Sequence, residues 1–143
     1  MNPANYEKLT AEQAIAYQHE LRKRISIKPL DKEIKIIAGS DISFNKYEET
    51  VYAGIVLFNY PELKIIGTAT AISRTSFPYI SGLLAFREVP ALLEAWDKLE
   101  TKPDVLVLDG QGIAHERRLR HRHTFRVGNR RDYHRQCKKS LSR

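Results

Sequence analysis

Apolar and polar positions alternate along this chain with two different periods, and the switches between them predict the order of elements. Residues 11–25 have a helical period, with Ala14, Tyr17, Leu21 and Ile25 near one face. Thr10 and Gln13 before it have the form of a capping box. Pro29 stops any continuation. Three runs rich in Ile, Val and Thr follow, at 34–44, 51–58 and 64–72. The polar, turn-forming segments 45–50 and 59–62 separate them, which predicts an antiparallel meander of three strands. Residues 73–81 read as a loop carrying Pro78. The helical period returns at 83–100, where Val89, Leu92, Leu93, Trp96 and Leu99 form one stripe. Pro90 removes a helical N–H, so the helix is expected to kink there or to restart with Pro90 in its first turn. Residues 105–108 then read as a buried strand bounded by Pro103 and Gly110. A helix crosses over before it, so it should run parallel to an earlier strand.

A three-strand antiparallel meander, a crossover helix and a parallel strand make an α/β arrangement. It is the first half of a ribonuclease H-like fold, and so an incomplete one. The pattern fails after Arg118, because residues 119–143 have no apolar periodicity of either kind.

Length and composition narrow the class further. The chain has 143 residues, a single-domain length, and 42% hydrophobic residues, ordinary for a soluble globular protein. No apolar run approaches the ~20 residues of a membrane span. The first residues lack a basic region followed by an apolar one, so no signal peptide is expected and the cytoplasm is the default address. Cys137 is the single cysteine, which excludes a disulfide framework or a cysteine zinc site within one chain. The net charge of +7 hides a division: residues 117–143 hold 11 Lys and Arg against Asp132 alone, a balance of +10, which leaves −3 for the rest.

Three acids are the candidate chemistry. Asp41 follows the run 34–40, Asp109 follows 105–108, and Glu88 heads the second helical stripe. Strand-end acids are where open α/β sheets place their sites. Three carboxylates meeting there would suit Mg²⁺, a hard cation that takes oxygen ligands and often phosphate oxygens too. Each acid also has a plainer reading: a strand-end Asp is commonly a turn residue, Asp109-Gly110 is a turn dipeptide, and a Glu beside Arg87 is commonly a solvated helix residue.

Three segments together resemble the endonuclease V family. They are Asp41-Ile42-Ser43-Phe44, the run from Pro78-Tyr79-Ile80-Ser81 through Gly82-Leu83-Leu84 to Phe86-Arg87-Glu88, and Val107-Leu108-Asp109-Gly110-Gln111-Gly112-Ile113-Ala114-His115. The resemblance runs from about residue 9 to Leu119 and departs at Ser81 and Glu116, where the family usually has proline. It implies a metal-dependent endonuclease of DNA repair acting near deoxyinosine and other deaminated bases. It implies that Asp41 and Asp109 hold Mg²⁺, or Mn²⁺ as a substitute, and that Glu88 completes the acidic site. Pro78, Tyr79 and Ile80 would form a wedge entering the duplex at the lesion. Gly82, Leu84, Gly110 and Gly112 would line the base pocket, and His115 would sit by the scissile phosphate. The implied partner is DNA containing deaminated bases, with inosine-containing RNA or a non-catalytic nucleic-acid-binding remnant as alternatives. No membrane or protein partner is implied.

The physics of such a wedge is sound. An enzyme that inspects a base must take it out of the stack, and an aromatic side chain can fill the vacated space. Residues 120–143 are expected to form a separate basic tail, disordered or out of frame, with Lys138-Lys139 as the one feature shared with the family. With the parallel strand lacking further sheet and helix, the chain alone is expected to lack specific inosine endonuclease activity. Its basic tail is expected to bind phosphate weakly.

Overall fold

The computed structural model describes residues 3–24 and 30–109. A 3₁₀ segment, Pro3–Lys8, leads into helix α1 (Ala11–Lys23). Strands β1 (Ile36–Phe44), β2 (Thr50–Asn59) and β3 (Ile65–Arg74) follow, then helix α2 (Ala85–Asp97) and strand β4 (Val105–Leu108). The sheet order is β3-β2-β1-β4. β1 pairs antiparallel with β2, β2 antiparallel with β3, and β4 parallel with β1. The meander, the crossover helix and the parallel strand are all present, in a mixed α/β sheet.

The capping box at Thr10 forms: the Thr10 hydroxyl accepts the Gln13 N–H, and Gln13 Oε1 accepts the Thr10 N–H at 3.0 Å. The helix ends at Lys23, earlier than expected, and Ile25 lies outside the described residues. Its buried face is Ala14, Gln18 and Leu21. Gln18, not Tyr17, is the fully buried member, because its Nε2 donates to the Gly82 carbonyl at 2.9 Å.

α2 runs unbroken from Ala85 to Asp97 with Pro90 in its second turn, so the helix does not restart at that proline. Leu99 is buried but lies beyond the helix. One face of the sheet, built by Ala38, Ala53, Ile55, Leu57, Ala69 and Ala71, packs with α2 residues Val89, Leu92, Ala95 and Trp96 in the core. Tyr6 closes one end, edge-on to Phe86 at 5.0 Å between ring centroids, and burial pushes its phenol pKa up. On the other face Tyr52, Ile72 and Val107 are exposed.

β1 starts at Ile36 because Asp104 ends the crossover there. The Asp104 carboxylate accepts the Lys35 N–H at 2.9 Å and the Ile36 N–H at 3.0 Å, and pairs with Lys32 Nζ at 2.6 Å. Its own N–H donates to the Ile36 carbonyl at 2.8 Å. Partial burial pushes this carboxyl up, but the Lys32 ammonium and the two N–H groups outweigh it and bring the pKa from 3.8 to about 2. A depressed pKa gives stability that is complete above the unfolded value and lost as pH falls through the folded one. Asp104→Asn is therefore expected to lower stability near neutral pH by on the order of 1–2 kcal/mol. Urea titrations should show that difference shrinking as pH drops from about 4 toward 2. A gap that stays constant over that window would mean Asp104 does not act through its charge.

Candidate active site

The parallel pairing of β1 with β4 is the main organising feature. Its last partners are Ser40 and Leu108, and Asp109 follows immediately. One further step of that register places Asp109 beside Asp41, across a strand spacing of about 4.8 Å. Both residues are exposed. The expectation that both acids lie at strand ends holds for Asp109 only. Asp41 is the sixth of the nine residues of β1, because the strand continues through Ser43 and Phe44 to pair with β2. Its antiparallel neighbour is Gly54, with open space where a Cβ would be, so no side chain crowds it from that strand. Asp41 Oδ1 accepts the Ile42 N–H at 2.9 Å.

Glu88 belongs to a different element. It lies in the first turn of α2, where the helix dipole favours an acid, and is only 7% exposed. Among the described residues no three His, Cys, Asp or Glu side chains are gathered to hold a metal ion. The strand pair offers carboxylate oxygens alone. That donor set fits a hard cation such as Mg²⁺, which is commonly held by one or two carboxylates together with waters and substrate phosphates.

The segment 75–84 is an exposed tip held at both flanks. On the first flank the Thr75 N–H donates to the Glu49 carbonyl at 2.9 Å, and the Phe77 ring is buried 5.4 Å from Phe86. On the second, the Leu83 N–H donates to the Ile80 carbonyl at 2.9 Å and Leu83 is buried. Gly82 has φ of 82°, a conformation a side chain would strain, and its carbonyl is taken by Gln18. Leu84 caps α2 by backbone alone, its carbonyl accepting the N–H groups of Arg87 and Glu88. Pro78, Tyr79 and Ser81 are exposed between these anchors, and Ile80 packs partly against the core. Tyr79 is 42% exposed and rests on the Phe44 ring at 6.1 Å.

Arg87 ties this loop to the β1–β2 turn. It is 5% exposed, and its guanidinium donates to the carbonyls of Phe77 and Glu48 while lying 5.3 Å from the Phe44 ring centroid. Sequence reasoning passed over Arg87 and Phe44 as roles, although a charged residue inside the apolar stripe of α2 is a visible anomaly. Gly110, Gly112 and His115 lie outside the described residues, as do residues 120–143 of the tail.

The endonuclease V family model matches residues 19–120. The chain belongs to the endonuclease V family. Curated relatives include endonuclease V of Trichormus variabilis, 43% identical over 112 residues, which are 78% of this chain and 51% of that protein. Another is that of Dictyoglomus turgidum, 43% identical over 108 residues, 76% of this chain and 46% of that one. Among solved structures, endonuclease V of Streptomyces avermitilis matches with a TM-score of 0.76 and 37% identity, covering 82% of this chain and 53% of that one. Ciona intestinalis endonuclease V, in complex with DNA containing an inosine followed by a ribo-adenosine, matches with a TM-score of 0.72 and 31% identity over 83% of this chain and 54% of that one. This chain thus spans about half the length of the endonuclease V relatives it matches. Its described part is the corresponding portion of their ribonuclease H-like fold. Among the described residues no helix is long and apolar enough to cross a membrane.

Proposed function

We propose that this chain carries the acidic part of an endonuclease site that cuts DNA near a deaminated base, above all deoxyinosine. The register of β1 and β4, whose last pair is Ser40 with Leu108, the residues just before Asp41 and Asp109, is the observation that supports this reading. Asp41 and Asp109 would hold Mg²⁺, with Mn²⁺ able to replace it, and Glu88 would complete the acidic site from α2. The bound cation would supply polarisation of the phosphodiester and a more acidic water. Asp41 and Asp109 bring two fixed negative charges to exposed positions, so the chain itself repels a phosphate there unless a cation intervenes.

Tyr79 would act as the wedge with Pro78 and Ile80, since its anchors are made before any substrate arrives. Three residues of β1, about 10 Å, separate Asp41 from Phe44, on which Tyr79 rests. Asp41 and Phe44 leave β1 on opposite faces, so a strand that met both Tyr79 and Asp41 would have to pass around the Phe44 end of β1. Gly82 and Leu84 would border the base pocket, with Gly110, Gly112 and His115 supplying the rest of its lining and the phosphate contact. A ribonucleotide next to the inosine is a second reading, favoured by the ribo-adenosine in the oligonucleotide bound to the Ciona relative.

The test compares the 143-residue chain with a version completed by the second half of a full-length relative, each with Mg²⁺, on inosine and undamaged duplexes. The completed version is expected to nick the inosine strand selectively. The chain alone is expected to bind both duplexes weakly and with strong salt dependence, without selective nicking. Tyr79→Ala in the completed version should weaken binding to the inosine duplex by roughly ten- to a hundredfold, the loss of about 1–3 kcal/mol per stacked base. Equal cutting of both duplexes by the completed version would overturn the reading, and an unchanged dissociation constant for Tyr79→Ala would remove the wedge from it.

A further inference from the structure

The β1–β2 turn stands next to the Tyr79 loop and carries groups for which the fold has no use. Tyr47 is 91% exposed, so it contributes almost no burial. Lys46 lies beside it, with its ammonium 5.4 Å from the Tyr47 ring centroid and 5.3 Å from that of Tyr79. One positive charge thus stands between two exposed aromatic rings that come from different loops. A single exposed tyrosine or lysine is ordinary. Here two loops converge, and their convergence is fixed by backbone contacts: Arg87 donates to the carbonyl of Glu48 in one loop and of Phe77 in the other. The Thr75 N–H donates to the Glu49 carbonyl as well. The turn has its own closure, with the Glu48 N–H donating to the Asn45 carbonyl and Asn45 Nδ2 to Glu48 Oε1 at 2.8 Å.

We infer that Lys46 and Tyr47 form a second nucleic-acid contact, in which Tyr47 stacks on an unpaired base and Lys46 meets the phosphate between that base and the one at Tyr79. Aromatic faces flanking a cation are the combination that binds unstacked nucleic acid, because every base has a π face and every nucleotide a phosphate. A groove-bound peptide would need a concave apolar lining, whereas this surface presents a cation between two exposed rings. The inference rests on the proposed role of Tyr79 and extends it from one ring to a strip. The site would therefore grip nucleotides beside the inspected base and favour a locally melted strand over an intact duplex.

The experiment uses the 143-residue chain and fluorescent oligonucleotides, single-stranded and duplex, each with and without inosine, over a range of salt concentrations. Tyr47→Ala is expected to weaken binding to the single-stranded inosine oligonucleotide about tenfold, the scale of one lost stacking contact. Lys46→Gln should reduce the slope of log affinity against log salt by about 0.7, one phosphate contact on a single strand. Tyr60→Ala, at the β2–β3 turn on the opposite end of the sheet, should change neither quantity. Thermal midpoints should be the same for all three, which separates lost contact from lost fold. If Tyr79→Ala weakens binding and Tyr47→Ala and Lys46→Gln do not, the strip is refuted while the role of Tyr79 stands. If Tyr79→Ala, Tyr47→Ala and Lys46→Gln all leave binding unchanged, both fail together.

Discussion

Asp41→Ala and Asp109→Ala, each made in a version of the chain completed by the second half of a full-length relative, are expected to reduce nicking of an inosine duplex by a factor on the order of 10²–10³ or more, the scale of removing one group that stabilises transition-state charge. The two losses should not add, because one cation depends on both carboxylates and losing either releases it. Binding of the duplex should survive or strengthen, since each change removes a negative charge from a surface that meets phosphate. Folding should be little affected: both residues are exposed, and Asp41 contributes one hydrogen bond, to its neighbour Ile42. The measurement is single-turnover cleavage with Mg²⁺, alongside a binding titration without it. Cleavage near the parental rate by either variant would take that residue out of the site. A loss of cleavage matched by a loss of binding would mean that the acids shape the surface and do not hold the cation.

The fold was legible in the sequence wherever a local pattern decides the element. Alternating Ile, Val and Thr runs separated by short polar turns could only form neighbouring antiparallel strands, and the helix before 105–108 required the parallel pairing that sets Leu108 beside Ser40. The ends of elements were less legible because side chains distant in sequence settle them. β1 begins where the Asp104 carboxylate takes the N–H groups of Lys35 and Ile36. The buried face of α1 turns on Gln18, which is worth burying only because the Gly82 carbonyl, 64 residues on, accepts its amide.

The site was legible in parts. Composition and spacing could nominate Asp41, Glu88 and Asp109 one by one, but the proposals that they act together and that Tyr79 is a wedge came from resemblance to the family. The support beneath the Tyr79 loop was not readable from either. Arg87 meets backbone carbonyls 10 and 39 residues away, and carbonyls leave no mark in a sequence. Its one visible sign was a charge, beside Glu88, between the apolar positions Phe86 and Val89, both fully buried.

Arg87→Ala is accordingly expected to destabilise the 143-residue chain by about 3 kcal/mol. Two terms set that size. The carbonyls of Phe77 and Glu48 lose charge-assisted donors, and a buried acceptor left without a partner costs about 1–3 kcal/mol. The contact with the Phe44 ring adds about 0.5–1 kcal/mol. Water reaching the vacated space from the Glu48 side, which is only part-buried, offsets some of this. For a domain of about 100 residues such a loss lowers the melting midpoint by roughly 10–20 °C. Arg87→Lys should recover only part of it, because an ammonium is a point charge and cannot span two carbonyls with the fork a guanidinium provides. The same pair of variants separates support from contact. With Arg87 held, Tyr79→Ala should leave the melting midpoint unchanged, since that ring is largely outside the core. With Arg87 lost, the Tyr79 loop and the β1–β2 turn lose their common anchor, and protection from hydrogen exchange should fall at the Thr75 and Phe77 N–H groups before it falls in the β1–β2 ladder. A melting midpoint for Arg87→Ala within about 2 °C of the parent, under 1 kcal/mol for this size of domain, would show that the two loops are held by the rest of the core and that Arg87 is not their anchor.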